Sequence, residues 1–264
     1  MNSDVRLLQI SDPHLFADPN GELRGVNTLG SLQRVLEAVR ARKTGFDAVL
    51  CSGDIVNDEP AGYAHFAREL SALGKPVYCV PGNHDDPASM RRALAAEPFQ
   101  VCGQVDRGAW RLVLLDSCVP GEARGHLGQA ELARLDAALA GSRDRFVMVC
   151  VHHHPVSMAS RWLDALGIDN ASALFEVLDA YAHVRLLSWG HVHQLFDERR
   201  RGVRLLATPS TGAQFLPLSA NFAIDARPPA WRRLTLRADG TLETEVFWVE
   251  TQDAAGRASS ADAG

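Results

Sequence analysis

Five short apolar runs in this chain each break off into side chains that bind metal ions, and few folds can bring all five endings together. Residues 5–10 run into Ser11-Asp12-Pro13-His14, residues 48–51 into Ser52-Gly53-Asp54, and residues 77–80 into Pro81-Gly82-Asn83-His84-Asp85. Further on, residues 146–151 lead to His152-His153-His154-Pro155, and residues 184–188 lead to Trp189-Gly190-His191-Val192-His193. Runs this short, rich in β-branched residues, predict buried strands. An open α/β sheet gathers its ligand site at the carboxyl ends of its strands, so loops far apart in sequence can meet in one crevice.

The segments between the runs supply the helical half of an α/β pattern. Leu32, Val35, Leu36 and Val39 recur at helical spacing and predict one buried helix face, and Leu132, Leu135 and Leu139 predict a second. From Val203 onward the pattern turns to strands separated by turns, with Ala238-Asp239-Gly240 joining residues 231–236 to 242–249 as a hairpin connection. This predicts a second sheet within a single domain spanning residues 1–250. With 264 residues, 46% of them apolar, the chain has enough material for one catalytic core. Residues 251–264 are rich in Ala, Ser, Gly and Asp, so burial cannot offset their ordering entropy and a disordered tail is expected.

Charge and cysteine usage narrow the partners. A net charge of −5 provides no general basic field for gripping polymeric nucleic acid. No apolar stretch is long enough to span a bilayer, and the N-terminal residues lack a signal-peptide layout. Cys51, Cys79, Cys102, Cys118 and Cys150 are scattered, with no C-x-x-C pair, which fits a reduced cytoplasmic compartment. Several other residues have plain readings: Cys51 and Cys150 as small core residues, Trp189 as packing, and His65, His126 and His183 as structural or solvated. Arg199-Arg200-Arg201 reads as an exposed turn between two strands.

Local spacing adds chemistry. Residues two apart in an extended segment point to the same side, so Asp12 with His14, and His191 with His193, can each serve one centre. Gly53, Gly82 and Gly190 stand immediately before ligands, where a side chain would crowd a bound ion. Taken in order, Asp12-Pro13-His14, Gly53-Asp54, Gly82-Asn83-His84-Asp85, His152-His153 and Gly190-His191-Val192-His193 resemble the calcineurin-like metallophosphoesterase superfamily. Gly25-Val26-Asn27-Thr28, Trp162-Leu163-Asp164 and Ala207-Thr208-Pro209-Ser210-Thr211 are similar to segments of its bacterial class III cyclic AMP phosphodiesterases. The resemblance covers nearly the whole chain except the tail.

That resemblance implies an α/β fold, a four-layer α/β/β/α sandwich of two mixed sheets flanked by helices. It implies that Asp12, His14 and His193 hold one metal ion, that Asn83, His152 and His191 hold the other, and that Asp54 bridges them. Iron or manganese is implied more than zinc, and the mixed nitrogen and oxygen donors argue against a magnesium-only site. Two such cations, about 3.5–4 Å apart, can hold a bridging hydroxide, neutralise phosphoryl oxygens and orient an in-line attack. His84 is the candidate general acid for an alkoxide leaving group, a role worth roughly 10²–10⁴ in rate. His14, Asn83, His84, His152 and His193 are expected to contact the substrate. The implied reaction is hydrolysis of 3′,5′-cyclic AMP to 5′-AMP, although 2′,3′-cyclic nucleotides, glycerophosphodiesters and phosphomonoesters suit the same ligands.

Some assignments stay open at this level. Strand alternation sends His152 and His153 to opposite sides; alignment with the family motif gives the ligand role to His152 and leaves His153 and His154 in support. Asp58 and Asn57 both stand where a residue orienting His84 could lie. Residues 156–170, with Trp162, fit a lid over ribose or base and equally fit helix packing. A non-catalytic scaffold of this family would typically have lost histidines or the bridging acid, and here every position is filled. A zinc acyl hydrolase would need clustered H-x-H-x-D-H spacing, which does not occur. Oligomeric state is not legible.

Overall fold

In the computed structural model, which describes residues 3–249, alternation along the first strand sets the layering. Leu8 and Ile10 enter a core shared with helices, while Val5 and Leu7 point the other way into a core between two sheets. A strand buried on both faces needs apolar residues at nearly every position, and here only Arg6 and Gln9 interrupt the run.

The main strands are β1 (Val5–Ile10), β2 (Ala48–Cys51), β3 (Val77–Cys79), β4 (Phe99–Val101), β5 (Gly103–Arg107), β6 (Trp110–Leu114), β7 (Phe146–Cys150), β8 (Val184–Trp189), β9 (Phe196–Arg200), β10 (Val203–Ala207), β11 (Ala230–Leu236) and β12 (Leu242–Trp248). The first sheet has the order β12-β11-β1-β2-β3-β4, with β1 to β4 parallel and β11 and β12 antiparallel. The second has the order β9-β10-β8-β7-β6-β5, parallel in its centre and antiparallel at both edges. Helices α1 (Thr28–Ala41), α2 (Tyr63–Ser71) and α3 (Pro87–Ala93) pack on the outer face of the first sheet. Helices α4 (Gln129–Ala140), α5 (Arg161–Asp164) and α6 (Ala171–Asp179) pack on the second. Leu7, Leu50, Trp110, Leu112, Met148 and Leu186 fill the layer between the sheets. This is the mixed, helix-flanked two-sheet sandwich that the family resemblance implies.

The helix pattern holds on α1, where Leu32, Val35, Leu36 and Val39 are buried and the Asn27 side chain caps the first turn by accepting from the Gly30 amide at 2.6 Å. The expectation for the chain beyond Val203 needs correction. Those strands do not form a sheet of their own: β10 lies parallel beside β8, whereas β11 and β12 extend the first sheet alongside β1. Alternating apolar residues mark a segment as a strand but carry no information about its partner. Here Leu234 and Leu236 complete the core between the sheets, and that decides the placement. Arg199 and Arg200 likewise lie inside β9, not in a turn, and Arg200 and Arg201 both pair with Asp179.

The expected tail lies outside the described residues. Among the described residues, no helix is long and apolar enough to cross a membrane, and all five cysteines are free.

Candidate metal centre

Strands β1, β2 and β3 of one sheet and β7 and β8 of the other end at a common rim, and the predicted ligands leave them there. The backbone is not extended at these positions. Asp12, His14, Asp54, His191 and His193 have φ values of 51°, 47°, 49°, 64° and 48°, in the left-handed region that non-glycine residues occupy at a cost of roughly 1–3 kcal/mol each. The i, i+2 pairs thus reach one centre through sharply turned loops, contrary to the extended geometry expected from spacing. Interlocking backbone bonds hold the turns: the amides of Asp12 and His14 donate to the carbonyls of Gly53 and Asp54, at 3.1 and 2.9 Å.

All seven expected ligands come together. His14 Nε2 lies 3.1 Å from His193 Nε2 and 3.6 Å from Asp54 Oδ2, and His193 Nε2 lies 3.5 Å from Asp12 Oδ1. On the other side, His152 Nε2 lies 3.3 Å from Asp54 Oδ2, 3.3 Å from Asn83 Oδ1 and 3.2 Å from His191 Nδ1. Asp54 stands between the two groups. His193 donates Nδ1–H to the Ala213 carbonyl at 2.7 Å, and His152 does so to the Ser52 carbonyl at 2.8 Å, which leaves both Nε2 lone pairs directed inward. Buried lone pairs facing one another at these distances are poorly matched without a cation between them. The donor chemistry therefore fits a pair of divalent ions.

Close approach is enforced by glycine. A Cβ at Gly53 would strike the His152 ring, one at Gly82 would strike Asp54, and one at Gly190 would strike Ser11 and the Asp12 carboxylate. Residues outside the ligand set brace the loops. Ser210 donates to the Asp12 carbonyl at 2.7 Å, and the Thr211 amide donates to that of Ser11, which gives the 207–211 segment a positioning role. Asp85, which has no role predicted from its motif, accepts from the amides of Gly82, Ile55 and Val56 and from the Tyr63 hydroxyl, tying the Asp54 loop to the Asn83 loop. Its acceptors draw donors from two strand ends, a long-range arrangement with no local sequence mark.

The electrostatics favour a cation. Burial raises the Asp54 carboxyl, but His152 and His14 outweigh it and hold the group well below the usual carboxylate range. Burial lowers the His14 imidazole to about 4 against the pull of Asp54, so its nitrogens stay neutral. His152 moves the other way, to about 9, because Asp54 more than offsets its burial. The field that draws a proton to His152 would equally draw a metal ion. His153 turns Nδ1 toward Ser117 Oγ at 2.7 Å, and the His154 ring lies against that of His191. Asp54 and Asn83 are thus approached by His152, not by His153.

His84 stands at the edge of this cluster, its ring 5.0 Å from that of His14. Its Nδ1 lies 2.9 Å from Asp58 Oδ2, so Asp58, not Asn57, orients it. Burial depresses the His84 imidazole, but Asp54 and Asp58 outweigh it and the net shift is upward. Beyond His84 the cleft continues past Leu23, Arg24, Trp162, Leu166, Phe215 and Phe222. Of these, only Trp162 stands in a motif that the sequence marks. The plain histidines behave as expected: His65 bonds the Ala17 carbonyl, His126 pairs with Asp169, and His183 bonds the Leu139 carbonyl. Cys51, Cys150 and Trp189 are packed in the cores.

Comparison with known proteins agrees with this geometry. The chain is 41% identical over 252 residues to the 3′,5′-cyclic adenosine monophosphate phosphodiesterase CpdA of Pseudomonas aeruginosa, covering 94% of this chain and 92% of that protein. It is 43% identical over 244 residues to CpdA of Escherichia coli (strain K12), covering 92% and 89%. Among solved structures, a dimetal phosphatase from Danio rerio superposes with a TM-score of 0.63 at 17% identity, over 93% of this chain and 99% of that one, a likeness of fold. The calcineurin-like phosphoesterase signature matches residues 5–195, the stretch from β1 through His191 and His193, and the chain belongs to that family.

Proposed function

We propose that this protein hydrolyses 3′,5′-cyclic AMP to 5′-AMP at a centre of two metal ions. One ion would be held by Asp12, His14 and His193, the other by Asn83, His152 and His191, with Asp54 shared. The observation that carries the reading is the convergence of the other six donors around Asp54, with His84 beside them. Relatives named as cyclic AMP phosphodiesterases, matched over about nine-tenths of both chains, point to the substrate. Four imidazoles combined with carboxylate and amide oxygens suit iron or manganese, with zinc as the further option. When bound, such ions supply Lewis acidity and neutralise the phosphoryl oxygens.

The protein's own groups account for the rest. With Nδ1–H committed to Asp58, His84 has Nε2–H available to give to O3′ as water adds to phosphorus and the P–O3′ bond breaks, leaving 5′-AMP. His14, Asn83, His152 and His193 border the phosphate alongside His84. We read residues 1–250 as one catalytic unit, with a small anionic ligand in place of nucleic acid or membrane. Five unpaired cysteines suit a reducing cytoplasm.

The test is metal analysis of the purified protein, followed by kcat/KM with iron or manganese on 3′,5′-cyclic AMP, 2′,3′-cyclic AMP, a glycerophosphodiester and a phosphomonoester. Two metal equivalents and a preference for 3′,5′-cyclic AMP are expected. A tenfold preference for a non-cyclic diester would overturn the substrate, and inactivity on the whole panel would overturn the enzyme.

A further inference from the structure

The cleft that holds the candidate metal centre has a second, apolar end that phosphate chemistry does not require. Phe215 lies flat on the His193 ring, 4.0 Å away with planes 5° apart. Trp162 stands edge-on to Phe215 and Phe222, at 5.4 and 5.2 Å. The Arg24 guanidinium rests 4.7 Å above the Phe222 ring, which is 41% exposed. An aromatic surface thus runs from a metal-ligand histidine to the mouth of the cleft, where it ends under a planar cation.

The presentation of Arg24 is itself unusual. It sits at φ 54°, followed by Gly25 at φ 77°, in the two-residue turn between the short strands Glu22–Leu23 and Val26–Asn27. Such turns favour Asn or Gly at that place, so an arginine there carries backbone strain of the kind found where a side chain has work to do.

We propose that Trp162, Phe215, Phe222 and Arg24 form a clamp for the nucleobase of the substrate, with the base stacked on the aromatic faces and covered by the guanidinium. The clamp rests on the cyclic AMP reading and says how that site chooses its substrate. Flat aromatic walls fit a purine better than glycerol or a sugar alone, and an arginine plane stacks on a base where a lysine cannot.

The test compares cyclic AMP with methyl β-ribofuranoside 3′,5′-cyclic phosphate, which keeps the reacting ring and lacks the base. In Phe222→Ala and Arg24→Ala, KM for cyclic AMP is expected to rise about 10- to 100-fold, the scale of one lost stacking partner, with a much smaller change in kcat. The preference for cyclic AMP over the base-free ester should fall by the same factor, and Arg24→Lys should not restore it. Equal losses on both substrates, no loss on cyclic AMP, or full rescue by lysine would overturn the clamp while leaving the activity in place. A wild-type protein with no activity on cyclic AMP would instead overturn the function and the clamp with it. Trp162→Ala is a further variant, but Trp162 also packs against the core between the second sheet and its helices, so the two rim residues decide the question.

Discussion

At the polar end of the cleft every donor follows a strand, and five of the seven, Asp12, His14, Asp54, His191 and His193, stand at left-handed positions in loops held by backbone hydrogen bonds. At the apolar end, Arg24, Phe215, Phe222 and Trp162 come from two short hairpins and a one-turn helix lying over the rim. The difference separates two duties. Groups that must meet a transition state to within a fraction of an ångström stand on the scaffold, while groups that recognise the rest of a ligand stand on segments free to vary. The two ends should therefore respond differently to a change of substrate.

The largest expected effect belongs to Asp54. Asp54→Ala should lose both metal equivalents and reduce turnover by more than the roughly 10⁴ that a single proton-transfer group can supply. The loss should be the same for cyclic AMP, its base-free analogue and an aryl diester. A loss confined to cyclic AMP, or full metal content by elemental analysis, would erase the division of labour.

His84 should fall between the two ends. His84→Ala is expected to cost about 10²–10⁴ on cyclic AMP, where the ribose oxygen needs a proton, and far less on bis(p-nitrophenyl) phosphate, whose leaving group does not. Parallel losses on the two substrates would move His84 from proton donation to phosphate binding.

A smaller effect tests its partner. The carboxylates of Asp54 and Asp58 raise the His84 imidazole, so the protonated form persists to higher pH and kcat/KM for cyclic AMP should decline only as the pH climbs past that raised value. Asp58→Asn removes one of the two, which should shift the alkaline limb to lower pH and cost about tenfold at neutral pH, as for other imidazole-orienting partners. An unmoved limb would show that Asp58 does not tune the proton.

The same contrast explains what was legible in the sequence. Candidate ligands placed just after β-branched runs declare themselves, because a carboxylate or imidazole at the end of a buried strand has few bland explanations; the same runs mark an α/β pattern, while the two-sheet sandwich comes from the family resemblance. Arg24, Phe215 and Phe222 carry no such mark: an arginine in a turn, a phenylalanine in a two-residue strand and another in the loop that follows are ordinary until Trp162 and His193 lie beside them. Asp85 looked like part of a motif, and only the folded chain shows its four donors. Strand identity was readable for β11 and β12 but strand partnership was not, since period-two alternation is the same whichever neighbour a strand joins. The i, i+2 spacing anticipates Asp12 beside His14, but His191 lies against His152 while His193 lies against His14, and the backbone at both pairs is left-handed, not extended, which leaves no trace in composition.

The placement of β11 next to β1 bears on how the chain assembles. Val5 pairs with Leu236 and Leu7 with Leu234, so β1 is flanked on one side by β11, a strand that follows it after most of the described residues. Contacts that span almost the whole chain require closing a very long loop before they return any stabilisation, which slows folding and exposes the waiting edge. Until residue 236 is made, β1 has an open hydrogen-bonding flank; Asp12 and His14 beyond its carboxyl end, with partners as far along as His193, are then parts of a cluster that synthesis completes late.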